Sequence, residues 1–314
     1  MRIVAALGGN ALLERGEKPD SDIQEWHVRD AIGALAPLAA EHDMVITHGN
    51  GPQVGLLALE SERDTALSRP YPFDVLTAQT QGMIGYWIVR ALAHQVPGRR
   101  SGCLIGQTLV SADDPAFASP AKFVGPGYDD ATARSLAADR GWTVRRDGAA
   151  WRRVVPSPEP LRVLELPLIA SLLDAGVLVV CSGGGGIPVL TGPDGELRGV
   201  DAVVDKDLTA ALLAEVVGAD ALLLLTDVPA IIEGFGTPDA RPIGRIGVRD
   251  LRARSLPGGS MGPKAEAACR FVTATGKRAV IGKLSDAGAM LSGTPALWSF
   301  LTCDNVPPDG GRRA

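Results

Sequence analysis

Three short apolar runs in this chain each end in a glycine turn. Arg2-Ile3-Val4-Ala5-Ala6-Leu7 leads into Gly8-Gly9-Asn10, residues 44–48 into Gly49-Asn50-Gly51, and residues 177–181 into Ser182-Gly183-Gly184-Gly185-Gly186. Runs of this length and polarity read as strands covered on both faces, the pattern of a parallel sheet. In an open parallel sheet, ligands bind beyond the carboxyl ends of the strands. Glycine there lets backbone N–H groups approach an anion, and helix N-termini add partial positive charge. One such turn says little, but three at one edge point to a shared phosphate-handling site.

Helical patterns separate these strands. Ser21-Asp22-Ile23-Gln24 has the form of a capping box opening an amphipathic helix to about residue 41. Residues from Gly51 onward and 73–96 also read as helices, and 103–110 as a further buried strand. The rhythm breaks over 113–153, with Pro115, Pro120 and Pro126, a short helix over 129–140, and a hairpin of 142–146 and 151–155 turned at Asp147-Gly148. We read 113–153 as a small subdomain projecting from a single domain of residues 1–306, with 156–160 as the return linker. The rhythm resumes with a helix over 166–175, the third glycine-ended strand, a helix opening near Asp205 and a strand over 221–225. A long loop then runs to about residue 247, followed by a helix (264–275) and two strands (278–282 and 296–301). The tail 307–314, rich in Pro, Gly and Arg, is expected to be disordered. The predicted class is α/β, with a mostly parallel sheet covered on both faces.

The chain carries a net charge of −5, which argues against nucleic-acid partners and a polybasic membrane surface. An anion site must therefore be a local concentration of positive charge. Only six of the 31 basic residues are lysine, and Lys122, Lys206 and Lys264 stand in segments suited to phosphate. Lysine is a compact, mobile point charge where arginine is a broad planar fork, and a migrating phosphoryl group needs such a charge at close range. Lys206 sits in Asp205-Lys206-Asp207, where Asp205 can cap a helix and Asp207 can orient the lysine. Lys264 follows Gly258-Gly259-Ser260-Met261-Gly262-Pro263 at a helix start. Lys122 lies within Pro120-Ala121-Lys122-Phe123-Val124-Gly125-Pro126.

Other chemistries lack their signatures. There is no GxxxxGK[ST], no GxGxxG and no GxSxG around Ser182. His27, His42, His48 and His94 lack metal-ligand spacing, so no protein-bound metal is expected; His48, beside a glycine turn, is a candidate for supporting it. Cys103, Cys181, Cys269 and Cys303 show no CxxC pairing and read as free thiols. With no secretory signal and no apolar run of about 20 residues, the expected location is cytoplasmic, with no membrane partner.

Taken together, several segments resemble the carbamate kinases of the amino-acid kinase superfamily. They are Gly8-Gly9-Asn10-Ala11-Leu12, the run His48-Gly49-Asn50-Gly51-Pro52-Gln53-Val54-Gly55, Gln81-Gly82-Met83-Ile84-Gly85-Tyr86, Arg153-Val154-Val155-Pro156-Ser157-Pro158, residues 183–188, Asp205-Lys206-Asp207 and Gly259-Ser260-Met261-Gly262-Pro263-Lys264. The resemblance runs from Arg2 to about Gly282. It implies a three-layer αβα sandwich, a homodimer, and reversible phosphoryl transfer between MgATP and carbamate that gives carbamoyl phosphate and ADP. Gly8, Gly9, Asn10, Asn50 and Gly51 would then hold carbamate and the transferring phosphoryl group. Lys122 would reach in from a movable lid, Lys206 would contact phosphate, Asp207 would organise the lysines, and Lys264 would stabilise the nucleotide's phosphates. Gly183, Gly184, Gly185, Thr226, Asp227 and Met261 would lie along ATP or ADP, with Mg²⁺ bound mainly through the nucleotide phosphates. Carbamate is already an anion, so the reaction needs charge neutralisation and in-line positioning rather than a base. A kinase of another small carboxylate, or a non-catalytic nucleotide-binding paralogue, is the alternative.

Overall fold

The apolar runs assemble into one eight-stranded sheet. In chain order its strands are β1 (Arg2–Leu7), β2 (Asp43–His48), β3 (Ser101–Cys103), β4 (Leu178–Val180), β5 (Ala221–Thr226), β6 (Arg245–Gly247), β7 (Arg278–Lys283) and β8 (Ser299–Thr302). They lie side by side as β6-β8-β7-β5-β1-β2-β4-β3. Every neighbouring pair is parallel except β7 and β8. β1 is central, with Ile3 between Met44 of β2 and Ala221 of β5. The structure is a computed structural model, and it describes residues 1–14, 16–254, 261–292 and 298–303.

Successive strand residues point to opposite faces, and both faces here are apolar. Val4, Ala6, Leu222 and Leu224 pack with the helices Leu166–Asp174, Lys206–Val216 and Met261–Thr275. Ile3, Ala5, Leu7, Leu223 and Leu225 pack with Ser21–Glu41, Phe73–Gln95 and Ala287–Ser292. The result is a three-layer αβα sandwich in which the carboxyl ends of β1, β2, β4 and β5 share one edge. Among the described residues, no helix is long and apolar enough to cross a membrane.

Several local expectations need correction. The capping box does not form: Asp20 is the N-cap and makes no side-chain cap bond. Gln24 instead points inward, donating to the Pro19 carbonyl at 2.6 Å and accepting from Gln53 Nε2 at 2.9 Å. Residues 103–110 are not one strand. The chain leaves β3 after Cys103 and enters a second sheet at Gln107–Leu109, beside Ile187–Thr191 and Arg162–Val163, with Leu197–Gly199 beyond. At the crossing, the Gly106 N–H donates to Gln81 Oε1 at 2.7 Å and its carbonyl accepts from Gln81 Nε2 at 3.1 Å. The same carbonyl also accepts from the Ile187 N–H at 2.9 Å, so Gln81 completes the bonding of the buried backbone where the chain passes between sheets. The expected loop before residue 247 contains a hairpin, Ile231–Glu233 with Arg241–Ile243, and then the edge strand β6.

Residues 122–155 form a small antiparallel sheet of their own, Lys122–Tyr128, Ala150–Val155 and Thr143–Asp147, with the helix Asp130–Arg140. The first of these strands was not expected, since Gly125, Pro126 and Gly127 interrupt its pattern. Val124 and Val155 pack with Val54, Ala58, Phe73 and Leu76, which seats the small sheet on the helices Gly51–Arg63 and Phe73–Gln95. The expected tail 307–314 and residues 296–297 of the expected last strand lie outside the described residues.

Candidate active site

Gly8 follows β1, and its N–H to C=O turn closes with the Ala11 N–H on the Gly8 carbonyl at 3.1 Å. A Cβ on Gly8 would lie 3.0 Å from the Leu225 carbonyl oxygen, so the turn runs hard against the end of β5. Gly49 follows β2 and donates to the Leu7 carbonyl at 3.0 Å. A Cβ there would come 3.1 Å from the Gly9 nitrogen and 3.5 Å from Lys206 Cε. Two glycine turns and one of the three lysines thus meet at one point. Gly51 begins the helix Gly51–Arg63 and is exposed, with open space where a Cβ would stand. Asn10 lies in the 3₁₀ turn Gly9–Ala11.

The third turn is packed against the second. A Cβ on Gly183 would fall 2.3 Å from the His48 ring, and one on Gly184 would fall 2.3 Å from Asn50 Nδ2. Gly185 at φ +91° faces the Val204 carbonyl in the same way. Glycine is required here because this protein's own groups occupy the space. The turn is also held by side chains: the Gly183 carbonyl accepts from Gln81 Nε2, and the Gly185 carbonyl accepts from Thr108 and Thr209 hydroxyls at 2.8 and 2.9 Å. Ser182, which opens it, has φ +53° and is the one non-glycine residue with positive φ among those described. Asn50 Nδ2 donates to Thr80 Oγ1 at 2.9 Å. His48 donates from Nδ1 to the Gly49 carbonyl at 2.8 Å; burial keeps its pKa down at about 4, so the ring is neutral at pH 7.

The lysines converge on two carboxylates of one helix start. Asp205 caps the helix Lys206–Val216, its Oδ1 accepting from the Asp207 N–H at 2.9 Å and the Leu208 N–H at 3.3 Å. Its Oδ2 accepts from Lys122 Nζ at 2.8 Å, a contact that spans 83 residues of sequence and joins the small sheet to the main one. Asp207 takes the other two lysines, Lys206 Nζ on Oδ1 at 2.5 Å and Lys264 Nζ on Oδ2 at 3.1 Å. The environments differ: the Lys264 side chain is 6% exposed and that of Lys206 13%, against 37% for Lys122. Burial lowers the Lys206 pKa despite Asp207, and nearby Lys264 adds to the lowering. Burial would raise Asp205, but the Lys122 ammonium, Lys206 and the Asp207 N–H outweigh it and hold the carboxyl below its ordinary value.

Three ammonium groups facing two carboxylates leave a net positive charge at the edge where the helix Lys206–Val216 presents its N-terminus. This is a setting for a polyanion. Met261 opens the helix Met261–Thr275, with Lys264 in its first turn. Thr226 ends β5 beside Gly8 and donates from Oγ1 to Asp227 Oδ1 at 3.0 Å. Both also line a cavity of about 720 Å³ with Trp26, His27 and Lys283. Sequence reasoning passed over Gln81, Thr108 and Thr209 as holders of the third turn, and Asp205 as the partner of Lys122. No local signal marks such pairs across distant segments. Burial pushes the Cys181 thiol up to about 12 and raises that of Cys103, so neither is a thiolate at neutral pH.

Residues 1–283 match the model of the amino acid kinase family. The carbamate kinase of Rhizobium meliloti is 49% identical over 294 residues, covering 93% of this chain and 90% of that protein. The carbamate kinase of Haemophilus influenzae is 46% identical over 287 residues, covering 91% and 92%. The solved structure of the Giardia lamblia carbamate kinase bound to AMP-PNP superposes with a TM-score of 0.87 at 38% identity, covering 96% of this chain and 98% of that one. With its parallel sheet, its glycine turns at one edge and its lysine cluster, this chain belongs to the amino acid kinase family, among the carbamate kinases.

Proposed function

We propose that this enzyme catalyses reversible phosphoryl transfer between ATP and carbamate, giving carbamoyl phosphate and ADP. The observation that carries this reading is the meeting of Lys122, Lys206 and Lys264 on Asp205 and Asp207, beside the Gly8-Gly9 and Gly49 turns. In the reaction, a carbamate oxygen bonds to the γ-phosphorus as the bond to the bridging oxygen of ADP breaks. No proton needs to move. Backbone N–H groups of the turns at Gly9 and Gly51, with Asn10 and Asn50, hold the carbamate and the phosphoryl group in line. Lys206 and Lys264 neutralise the oxygens of the moving group and the β-phosphate, oriented by Asp207.

In this reading the nucleotide lies between the third glycine turn, Gly183 to Gly185, and the first turn of the Met261 helix, with Thr226 and Asp227 nearby. Mg²⁺ arrives with the nucleotide and is held mainly by its phosphates, because Asp205 and Asp207 are already committed to lysines. Residues 113–153 act as the lid, which brings Lys122 to the phosphoryl group. By its likeness to the family, the enzyme is taken to be a homodimer. The direct test is ATP formation from ADP and carbamoyl phosphate with Mg²⁺. Well-folded protein is expected to turn over, and a panel of other small carboxylates is expected to be poorly phosphorylated. Silence with carbamoyl phosphate, or a better carboxylate in the panel, would overturn the assignment.

A further inference from the structure

We propose that Asp205 is a positioning residue for Lys122, and that the two aspartates of Asp205-Lys206-Asp207 divide the three lysines between them. The idea rests on the phosphoryl-transfer reading above and deepens it. Asp207 has one lysine on each carboxylate oxygen, and the third lysine, Lys122, meets Asp205 instead. Asp205 uses one oxygen for the start of its own helix and has the other free for Lys122. The capping bonds fix the carboxylate against the backbone of the helix Lys206–Val216, so the oxygen that meets Lys122 is itself held in place.

At the other end of the contact, Lys122 opens the strand Lys122–Tyr128 and is paired across the small sheet with Val155, which packs on the helices Gly51–Arg63 and Phe73–Gln95. The ion pair to Asp205 adds a second tie between this strand and the rest of the protein, made through a long side chain that is more than a third exposed. A flexible four-carbon stem must otherwise give up its freedom when it binds phosphate. A carboxylate that takes one of the three ammonium hydrogens prepares the other two for phosphoryl oxygens.

The test is a cycle of four proteins: wild type, Asp205→Asn, Lys122→Ala and the double variant. Asparagine is as good an N-cap as aspartate, so Asp205→Asn keeps the helix start and removes the charge. The expected result is a fall in kcat of about tenfold in Asp205→Asn with KM for nucleotide changed by less than about twofold, and no further fall when Asp205→Asn is added to Lys122→Ala, as for directly coupled groups. Equal losses in both backgrounds would show that the Asp205 charge acts independently of Lys122, and would overturn the proposal. Hydrogen exchange on the ligand-free proteins provides a second reading that needs no turnover. Asp205→Asn is expected to speed exchange in the strand Lys122–Tyr128 and to leave the helix Lys206–Val216 unchanged. Faster exchange in the helix alone, or no change in the strand, would count against it. An inactive wild type with the strand loosened in Asp205→Asn would remove the carbamate reading and leave the tether standing.

Discussion

The two lysines that share Asp207 and the lysine of the small sheet make the same kind of bond in different settings. Lys206 and Lys264 lie almost out of solvent and share one buried carboxylate. Lys122 stands partly in water, on a separate sheet, and reaches its carboxylate at the N-cap of the Lys206–Val216 helix. A charge shared among buried partners is costly to remove, because whatever stays behind is left without compensation. One at a partly exposed contact is cheap to break. The core pair therefore supplies a fixed field, whereas Lys122 supplies a charge that can come and go.

The sharpest challenge to that contrast is Asp207→Ala. It strands two buried ammonium groups, so turnover should fall by about a thousandfold or more and stability by roughly 3–5 kcal/mol. Steady-state kinetics on protein shown folded by circular dichroism, with a denaturant titration alongside, would check both. A loss no greater than that of Lys122→Ala would erase the distinction.

Arginine substitutions grade the same contrast more finely. Lys264→Arg must fit a wider, planar group into a site closed to solvent, and kcat should fall about a hundredfold; Lys122→Arg, with room to adjust, should stay within about tenfold of wild type. Comparable losses would mean that exposure does not govern the tolerance.

His48 extends the comparison to acid. Its folded pKa lies below the ordinary value for histidine, so between about pH 6.5 and 4 the unfolded chain binds the proton that the fold refuses. Stability is whole above this window and is lost as pH falls through it, by on the order of 2 kcal/mol at pH 5. Replacing His48 with Gln should flatten that slope in a pH series of thermal melts. An unchanged slope would show that other groups set it.

Much of this architecture can be read from residue order, and the places where it cannot have physical causes. Strands such as Ala221–Thr226 are legible because continuous apolar runs need cover on both faces. The stretch around Gly106 is not, since apolar residues, Leu104, Ile105, Leu109 and Val110, stand on both sides of the change of sheet; the break shows in the bonds that Gln81 makes to it. Strand Lys122–Tyr128 hides behind two glycines and a proline. At the site, the glycine turns and Lys206 announced themselves through spacing, and Asp207 through adjacency. The meeting of Asp205 with Lys122 did not, because no periodicity links a strand of the small sheet to the N-cap of a helix 83 residues away. The four-glycine run is instructive in another way: it reads as room for a ligand, and in the structure the space on the Cβ side of these glycines is taken by His48, Asn50 and the Val204 carbonyl.

The central place of β1 has a consequence for how the chain comes together as it is made. One of its edges is satisfied by β2, some forty residues on, and the other only by β5, which begins at Ala221. During synthesis, the strand that carries the first glycine turn therefore waits, half-paired, until about two-thirds of the polypeptide has emerged. Such long-range pairing slows folding and leaves an apolar edge open to wrong partners.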